Sequence, residues 1–249
     1  MRIAHLSDLH LREHLPGNPD IPERQGRRVA ALLERAMERI AAARPDLIAL
    51  TGDLLDYPLG DLHDADTQRQ GEADLRLIAE LLPATGCAAV VIGGNHDHEE
   101  LVRRVFGHLP DEAECAGYRV LSFTDRQDAD YVPHRRGREW ARFQAALTDV
   151  HSPPQIHIQH YLVWPRRDEG YPYTYARAEE MVEAVVGSGL VRLVLGGHYH
   201  EGIPLFRIGE TYFSTAPAFC ESPHPYLIYD LEEGKAGDEK VTCRTYTIE

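Results

Sequence analysis

Four short apolar runs, each ending in a cluster of metal-binding or proton-transferring side chains, constrain this chain more than any other feature. Arg2–Leu6 leads into Asp8-Leu9-His10, and Leu47–Leu50 into Gly52-Asp53-Leu54-Leu55-Asp56. Ala88–Ile92 leads into Gly94-Asn95-His96-Asp97, and Val191–Leu195 into Gly197-His198-Tyr199-His200. Runs of this length and content read as buried β-strands. A polar cluster at the end of each means that several strand ends converge on one place. In open α/β sheets, ligands bind at the carboxyl ends of the strands.

Helical periodicity fills much of the space between these runs. Val29, Leu32, Leu33, Ala36 and Ile40 share one face of a helix that Arg44-Pro45 ends. Further helices are expected over Ala65–Leu82, Asp97–Phe106, Arg138–Leu147 and Tyr175–Val186, and further strands at Tyr118–Phe123 and Gln155–Gln159. The continuously apolar Ala88–Ile92 suits a central strand covered on both faces. Two segments read as connections: a Pro- and Gly-rich loop from Pro16 to Pro22, and a charged turn over Glu232–Lys240. From about residue 203 the apolar period shortens to two, over Leu205–Ile208, Thr211–Ser214, Tyr226–Leu231 and Val241–Ile248. The expected architecture is one α/β domain over residues 1–249. It has two mixed β-sheets packed face to face, helices on the outer faces, and a C-terminal β-rich portion completing the second sheet.

The 26 basic and 40 acidic side chains leave a net charge of -14. Extended nucleic acid is captured by clustered Lys and Arg that replace counterions, so this balance argues against it as a partner. A small phosphate ester is not excluded, because bound cations reverse the field locally. The four cysteines form no Cys-x-x-Cys pair, and no run reaches the roughly 18 apolar residues of a membrane span. Free thiols, a cytoplasmic location and no membrane partner are expected. Several edge-like C-terminal strands are compatible with a homodimer.

The residues at the strand ends are carboxylate, imidazole and carboxamide, which suits Mn, Fe, Co, Ni or Zn. Asp8, His10, Asp53, Asn95, His160, His198 and His200 make seven candidate ligands. That is too many for one tetrahedral site and suits two divalent metal ions sharing a carboxylate. Asp53, at the Gly52 turn, is the natural bridge. His160 is preferred over His157 because residues three apart on a strand face opposite ways, and His160 stands at the strand's end.

In order and separation these motifs resemble the calcineurin-like metallophosphoesterase superfamily, and the resemblance spans residues 8 to 200. It implies one metal held by Asp8, His10, Asp53 and His200, and a second held by Asp53, Asn95, His160 and His198. His96 matches the family's His that contacts the phosphoryl group or protonates the leaving oxygen, and Asp56 matches the Asp that orients it. The implied reaction is hydrolysis of a phosphate ester by in-line attack of a metal-bridging hydroxide. The chain is similar to the compact bacterial phosphodiesterase branch, which implies a small substrate, a nucleotide or cyclic nucleotide. It departs from the protein phosphatase branch, where Arg follows the second Asp of the Gly-Asp-x-x-Asp motif; here Tyr57-Pro58 follows. Nuclease, phosphomonoesterase and non-catalytic readings remain open at this point. For substrate contacts, the sequence offers His14, Tyr161, Trp164 and Arg166, with an aromatic wall through Tyr171, Tyr173 and Tyr175 able to stack on a planar leaving group.

Overall fold

Period-two alternation sorts the apolar side chains of each strand into two layers, and the fold follows from where those layers meet. The computed structural model describes residues 1–16, 21–233 and 239–249. Residues 17–20 of the Pro16–Pro22 loop and 234–238 of the Glu232–Lys240 turn lie outside the described residues.

The elements in chain order are β1 (Arg2–Leu6), α1 (Val29–Ala43), β2 (Leu47–Thr51), α2 (Ala65–Leu81), β3 (Ala88–Ile92), α3 (Glu99–Phe106), β4 (Glu112–Cys115), β5 (Tyr118–Phe123), β6 (Arg126–Gln127) and β7 (Pro133–His134). They continue with α4 (Gly137–Thr148), β8 (Gln155–Gln159), α5 (Ala178–Ser188), β9 (Val191–Gly196), β10 (Ile203–Ile208), β11 (Thr211–Thr215), β12 (Pro225–Glu233) and β13 (Glu239–Thr247). The first sheet has the order β13-β12-β1-β2-β3, and the second β10-β11-β9-β8-β5-β4. β1, β2 and β3 run parallel, and so do β5, β8, β9 and β11. β6 and β7 form a separate hairpin.

Ile3, Leu47, Ala49, Val90 and Ile92 point from the first sheet into a core shared with Val120, Ile156, Ile158, Leu193 and Leu195 of the second. The alternate residues Ala4, Leu6, Ile48 and Leu50 pack against α1, α2 and α3. Leu121, Phe123 and Val194 pack against α4 and α5. The result is the expected α/β sandwich: two mixed sheets face to face, with helices outside.

Three details differ from the sequence reading. The C-terminal strands divide between the sheets. β10 and β11 extend the second beside β9, whereas β12 and β13 extend the first beside β1. Alternation shows that a segment is a half-buried strand but not which edge accepts it. β3 lies at the edge of the first sheet, not in its centre. Its alternate residues Ala89 and Val91 are apolar because they pack at the edge of the helical layer. Finally, α3 begins at Glu99, because the Asp97 carboxylate accepts hydrogen bonds from the Gly94, Leu54 and Leu55 amides. Polar β4 and the β6–β7 hairpin carried too little apolar pattern to be read. Among the described residues, no helix is long and apolar enough to cross a membrane.

Candidate metal centre

Because β1, β2 and β3 of one sheet and β8 and β9 of the other are parallel strands whose carboxyl ends meet, the residues following them are gathered at one end of the sandwich. Backbone hydrogen bonds lock these loops together. The Asp8 amide donates to the Gly52 carbonyl (3.1 Å), the His10 amide to Asp53 (2.9 Å) and the Gly197 amide to His160 (2.7 Å). All seven candidate ligands are brought together; Asp8, His10, Asp53, His160 and His198 are buried, and Asn95 and His200 are half-buried.

Ligand atoms of Asp8, His10 and Asp53 lie mutually within 4.8 Å, and so do those of Asp53, His160 and His198. Asp53 thus belongs to both groups. His10 Nε2 is 3.6 Å from Asp53 Oδ2 and 3.3 Å from His200 Nε2. His200 Nε2 is 3.5 Å from Asp8 Oδ1. On the other side, His160 Nε2 is 3.4 Å from Asp53 Oδ1 and 3.1 Å from Asn95 Oδ1.

Close packing at the turns demands glycine. Gly52 has φ +94°, and a Cβ there would stand 2.5 Å from His160 Nδ1. A Cβ on Gly94 would stand 2.2 Å from Asp53 Oδ1. Four of the candidate ligands are themselves left-handed: Asp8 (φ 54°), His10 (42°), Asp53 (47°) and His198 (69°). Each such conformation costs about 1–3 kcal/mol, and residues of this kind cluster at functional sites.

Whether these residues suit metal ions is decided by their lone pairs. His160 Nδ1 faces the Thr51 carbonyl at 2.6 Å, which places the proton on Nδ1 and turns the Nε2 lone pair toward the oxygens of Asp53 and Asn95. Asp8 Oδ1 and His198 Nε2 are buried without a hydrogen-bond partner. Buried polar atoms are rarely left so. Acceptors facing acceptors in a buried space are satisfied by cations, and the donor set suits borderline or hard divalent ions.

The electrostatics agree. Burial would raise the pKa of Asp8 and of Asp53. Nevertheless both are held below the ordinary carboxylate range, Asp8 by the neighbouring His200, His160 and His10, and Asp53 by His160, His96 and His10. Burial also lowers His10, and it lowers His198 to about 3, so both imidazoles are neutral. His200 behaves oppositely. Against its burial, the Asp8 and Glu221 carboxylates beside it push it up to about 10. The carboxylates here attract positive charge strongly.

His96 stands beside the cluster, and its side chain is 26% exposed. Its Nδ1 is 3.8 Å from Asp56 Oδ1, and its amide donates to Asp53 Oδ1 at 2.8 Å. The sequence reading missed the neighbours that hold this site. Glu221 Oε1 is 2.5 Å from His200 Nδ1. The arginine that reaches Asp56 is Arg24, 3.3 Å away, contributed by a different loop from the one that carries Asp56. The buried Cys220 thiol borders His10 and His200, and burial pushes its pKa up. None of the three belongs to a strand-end motif, so no local signal marks them.

The substrate-contact candidates are placed less favourably. His14 Nδ1 is 2.6 Å from Asp74 of α2. Tyr161 is only 2% exposed, with its ring packed between His198 and Tyr175. Trp164 packs against the α4–α5 core, and Arg166 pairs with Glu179 and Asp168. Tyr175 is buried, with its hydroxyl donating to Asp125. His14, Trp164, Arg166 and Tyr175 are thus engaged by packing or partners that the sequence does not show, whereas Tyr161 lines the cleft beside His198. His157 faces away from the site, its Nε2 2.9 Å from Gln155 and its ring against Phe123 and Phe143.

A cleft of about 1060 Å³ opens from the cluster at Gly94, Asn95 and Tyr161 and runs past α3 to the β6–β7 hairpin.

Comparison with known proteins agrees with this geometry. The profile of the calcineurin-like phosphoesterases matches residues 1–202. A probable cyclic nucleotide phosphodiesterase of Synechococcus sp. is 26% identical, over 88% of this chain and 80% of that one. A protein of the same description from Coxiella burnetii is 24% identical, over 100% and 93%. Among solved structures, a dimetal phosphatase from Danio rerio superposes with a TM-score of 0.74 at 16% identity, over 100% of this chain and 99% of that one.

Proposed function

The chain belongs to the calcineurin-like phosphoesterase family and is a hydrolase of phosphoester bonds, and on that premise we propose that it is a dimetal phosphodiesterase acting on a small nucleotide-type ester. The observation that carries the dimetal reading is that Asp53 belongs to two separate ligand groups. One metal is assigned to Asp8, His10, Asp53 and His200, and the other to Asp53, Asn95, His160 and His198. When bound, such a pair lowers the pKa of water toward neutrality and stabilises charge on the phosphoryl oxygens.

The chain's own residues supply the remainder. Asp53 holds the two positions at a fixed separation. The Thr51 carbonyl and Glu221 fix the rings of His160 and His200, so that each Nε2 faces inward. In hydrolysis, a water molecule releases a proton to solvent as its oxygen forms a bond to phosphorus, and the bond to the leaving oxygen breaks. His96, beside the cluster and partly exposed, donates the proton that the leaving oxygen needs, a role typically worth 10²–10⁴-fold. Asp56 orients that imidazole, and Arg24 holds Asp56. The cyclic nucleotide activity named for the similar bacterial proteins, and the net charge of -14, favour a small diester over extended nucleic acid.

The test is hydrolysis of 3′,5′-cyclic AMP, bis(p-nitrophenyl) phosphate and p-nitrophenyl phosphate by Mn²⁺-loaded protein. Diester turnover that disappears with chelator is expected, with weaker monoester turnover. Asp53→Asn should lose both metals. His96→Ala should retain metal and slow cyclic AMP, with its poor leaving group, far more than the nitrophenyl esters. Turnover of the monoester alone would refute the diesterase reading.

A further inference from the structure

The β6–β7 hairpin carries a feature that neither the metal centre nor the fold requires. Tyr131, in its turn, is 59% exposed and adopts φ +65°. A left-handed backbone is unfavourable for a bulky residue, and Gly or Asn would serve such a turn better. The exposed ring gains little from burial in return. Exposed and strained, Tyr131 lies on the rim of the cleft that opens from Asn95.

It is also the outer end of a line of rings leading to the metal centre. Tyr131 is 5.9 Å from Tyr171, Tyr171 is 4.9 Å from Tyr173, and Tyr173 is 5.2 Å from Tyr199. Tyr171 and Tyr173 stand 5.7 and 5.5 Å from the ring of His198, a proposed ligand. Gln127 on β6 donates to the Tyr171 hydroxyl at 2.9 Å and ties the hairpin to this wall. Around the same end of the cleft, Arg126, Arg136 and Arg138 are paired with Glu99, Asp128 and Asp111. These three cations are already paired, and Tyr131 adds an exposed aromatic ring beside them.

We infer that Tyr131 and Tyr171 form a stacking subsite for the planar base of a nucleotide whose phosphate lies at the metal centre. The inference rests on the phosphoesterase reading for the position of the phosphate and adds the recognition of the base. The ring contacts span the distance: Tyr131 is two contacts from His198, within reach of a base carried on a ribose. It also redirects the aromatic wall expected from sequence, since Tyr161 and Tyr175 are buried while Tyr131 offers an open face.

The experiment is calorimetric titration of Mn²⁺-loaded protein with AMP and, as the ligand without a base, ribose 5-phosphate. Wild type should bind AMP more tightly. Tyr131→Ala should weaken AMP roughly 5- to 150-fold and leave ribose 5-phosphate within about twofold, whereas Tyr131→Phe should retain AMP binding. Tyr131→Gly should also lose the preference for AMP, with no fall in melting temperature, because glycine tolerates the left-handed turn. Equal wild-type affinity for the two ligands, or equal loss of both in Tyr131→Ala, would overturn the subsite. Failure of the protein to hydrolyse any phosphodiester would refute the reaction alone, since the AMP preference is read from binding.

Discussion

Two adjacent glycines should respond oppositely to the same small change. A Cβ on Gly94 would stand 2.2 Å from Asp53 Oδ1, 2.5 Å from the Asp53 amide nitrogen and 2.6 Å from His160 Nε2. Ordinary contact begins near 3.4 Å. Relief therefore requires a displacement of about 1 Å, and backbone and buried rings supply it at about 1–3 kcal/mol, the usual cost of overpacking. In a chain of this length that lowers the melting temperature by about 2–12 °C. The functional loss should be larger than the loss of stability. Metal–ligand distances tolerate only about ±0.2 Å, so moving Asp53 and His160 together undoes the shared position. Gly93→Ala provides the control, because its Cβ would meet nothing closer than 3.7 Å. Metal content after dialysis and thermal denaturation of the two variants make the measurement. Gly94→Ala should lose bound Mn²⁺ while remaining folded, and Gly93→Ala should match wild type. Full metal content in Gly94→Ala would refute the assignment of Asp53 and His160 as ligands crowded against that turn.

Other positions give independent checks. Glu221→Gln removes the charge that fixes His200 and should weaken Mn²⁺ binding roughly tenfold at one position of the pair, read by calorimetric titration. Asp125→Ala leaves the Arg135 guanidinium buried over the Phe123 ring without its 2.7 Å partner. That should cost about 3–5 kcal/mol, and Asp125→Ala combined with Arg135→Met should recover part of the loss in denaturant unfolding. Burial holds His5 at about 3 and His157 well below the ordinary imidazole value. For His5 between about pH 3 and 6.5, and for His157 as pH falls below 6.5, the unfolded chain therefore binds protons that the native protein excludes. The stability contributed by these neutral imidazoles is fully present above pH 6.5 and falls as pH drops, by about 1.4 kcal/mol per pH unit for each. His157→Gln should flatten that acid limb, measured by urea midpoints across the range.

The site was legible in the sequence where its chemistry is local. Asp8, Asp53, Asn95, His160 and His198 each follow the end of a strand closely, so an apolar run and the residues after it specify both the element and the direction of the ligand. The helical periodicity of Val29 to Ile40 likewise determined α1 and its buried face. Where the pattern was polar or short, as in Glu112–Cys115 and the β6–β7 hairpin, nothing in the residues distinguished strand from loop.

The type, order and strand-end placement of the candidate ligands were thus determined by the sequence alone, because each depends on residues within a few positions of one another. Tertiary structure alone decided that β12 and β13 join β1 and that Asp53 stands in both ligand groups. It also brought Arg24 to Asp56 and Glu221 to His200, and put Tyr131 on the cleft rim while Tyr161 was buried. These are contacts between segments far apart along the chain. Packing of the two sheets sets them, and no local period records which distant side chain will arrive.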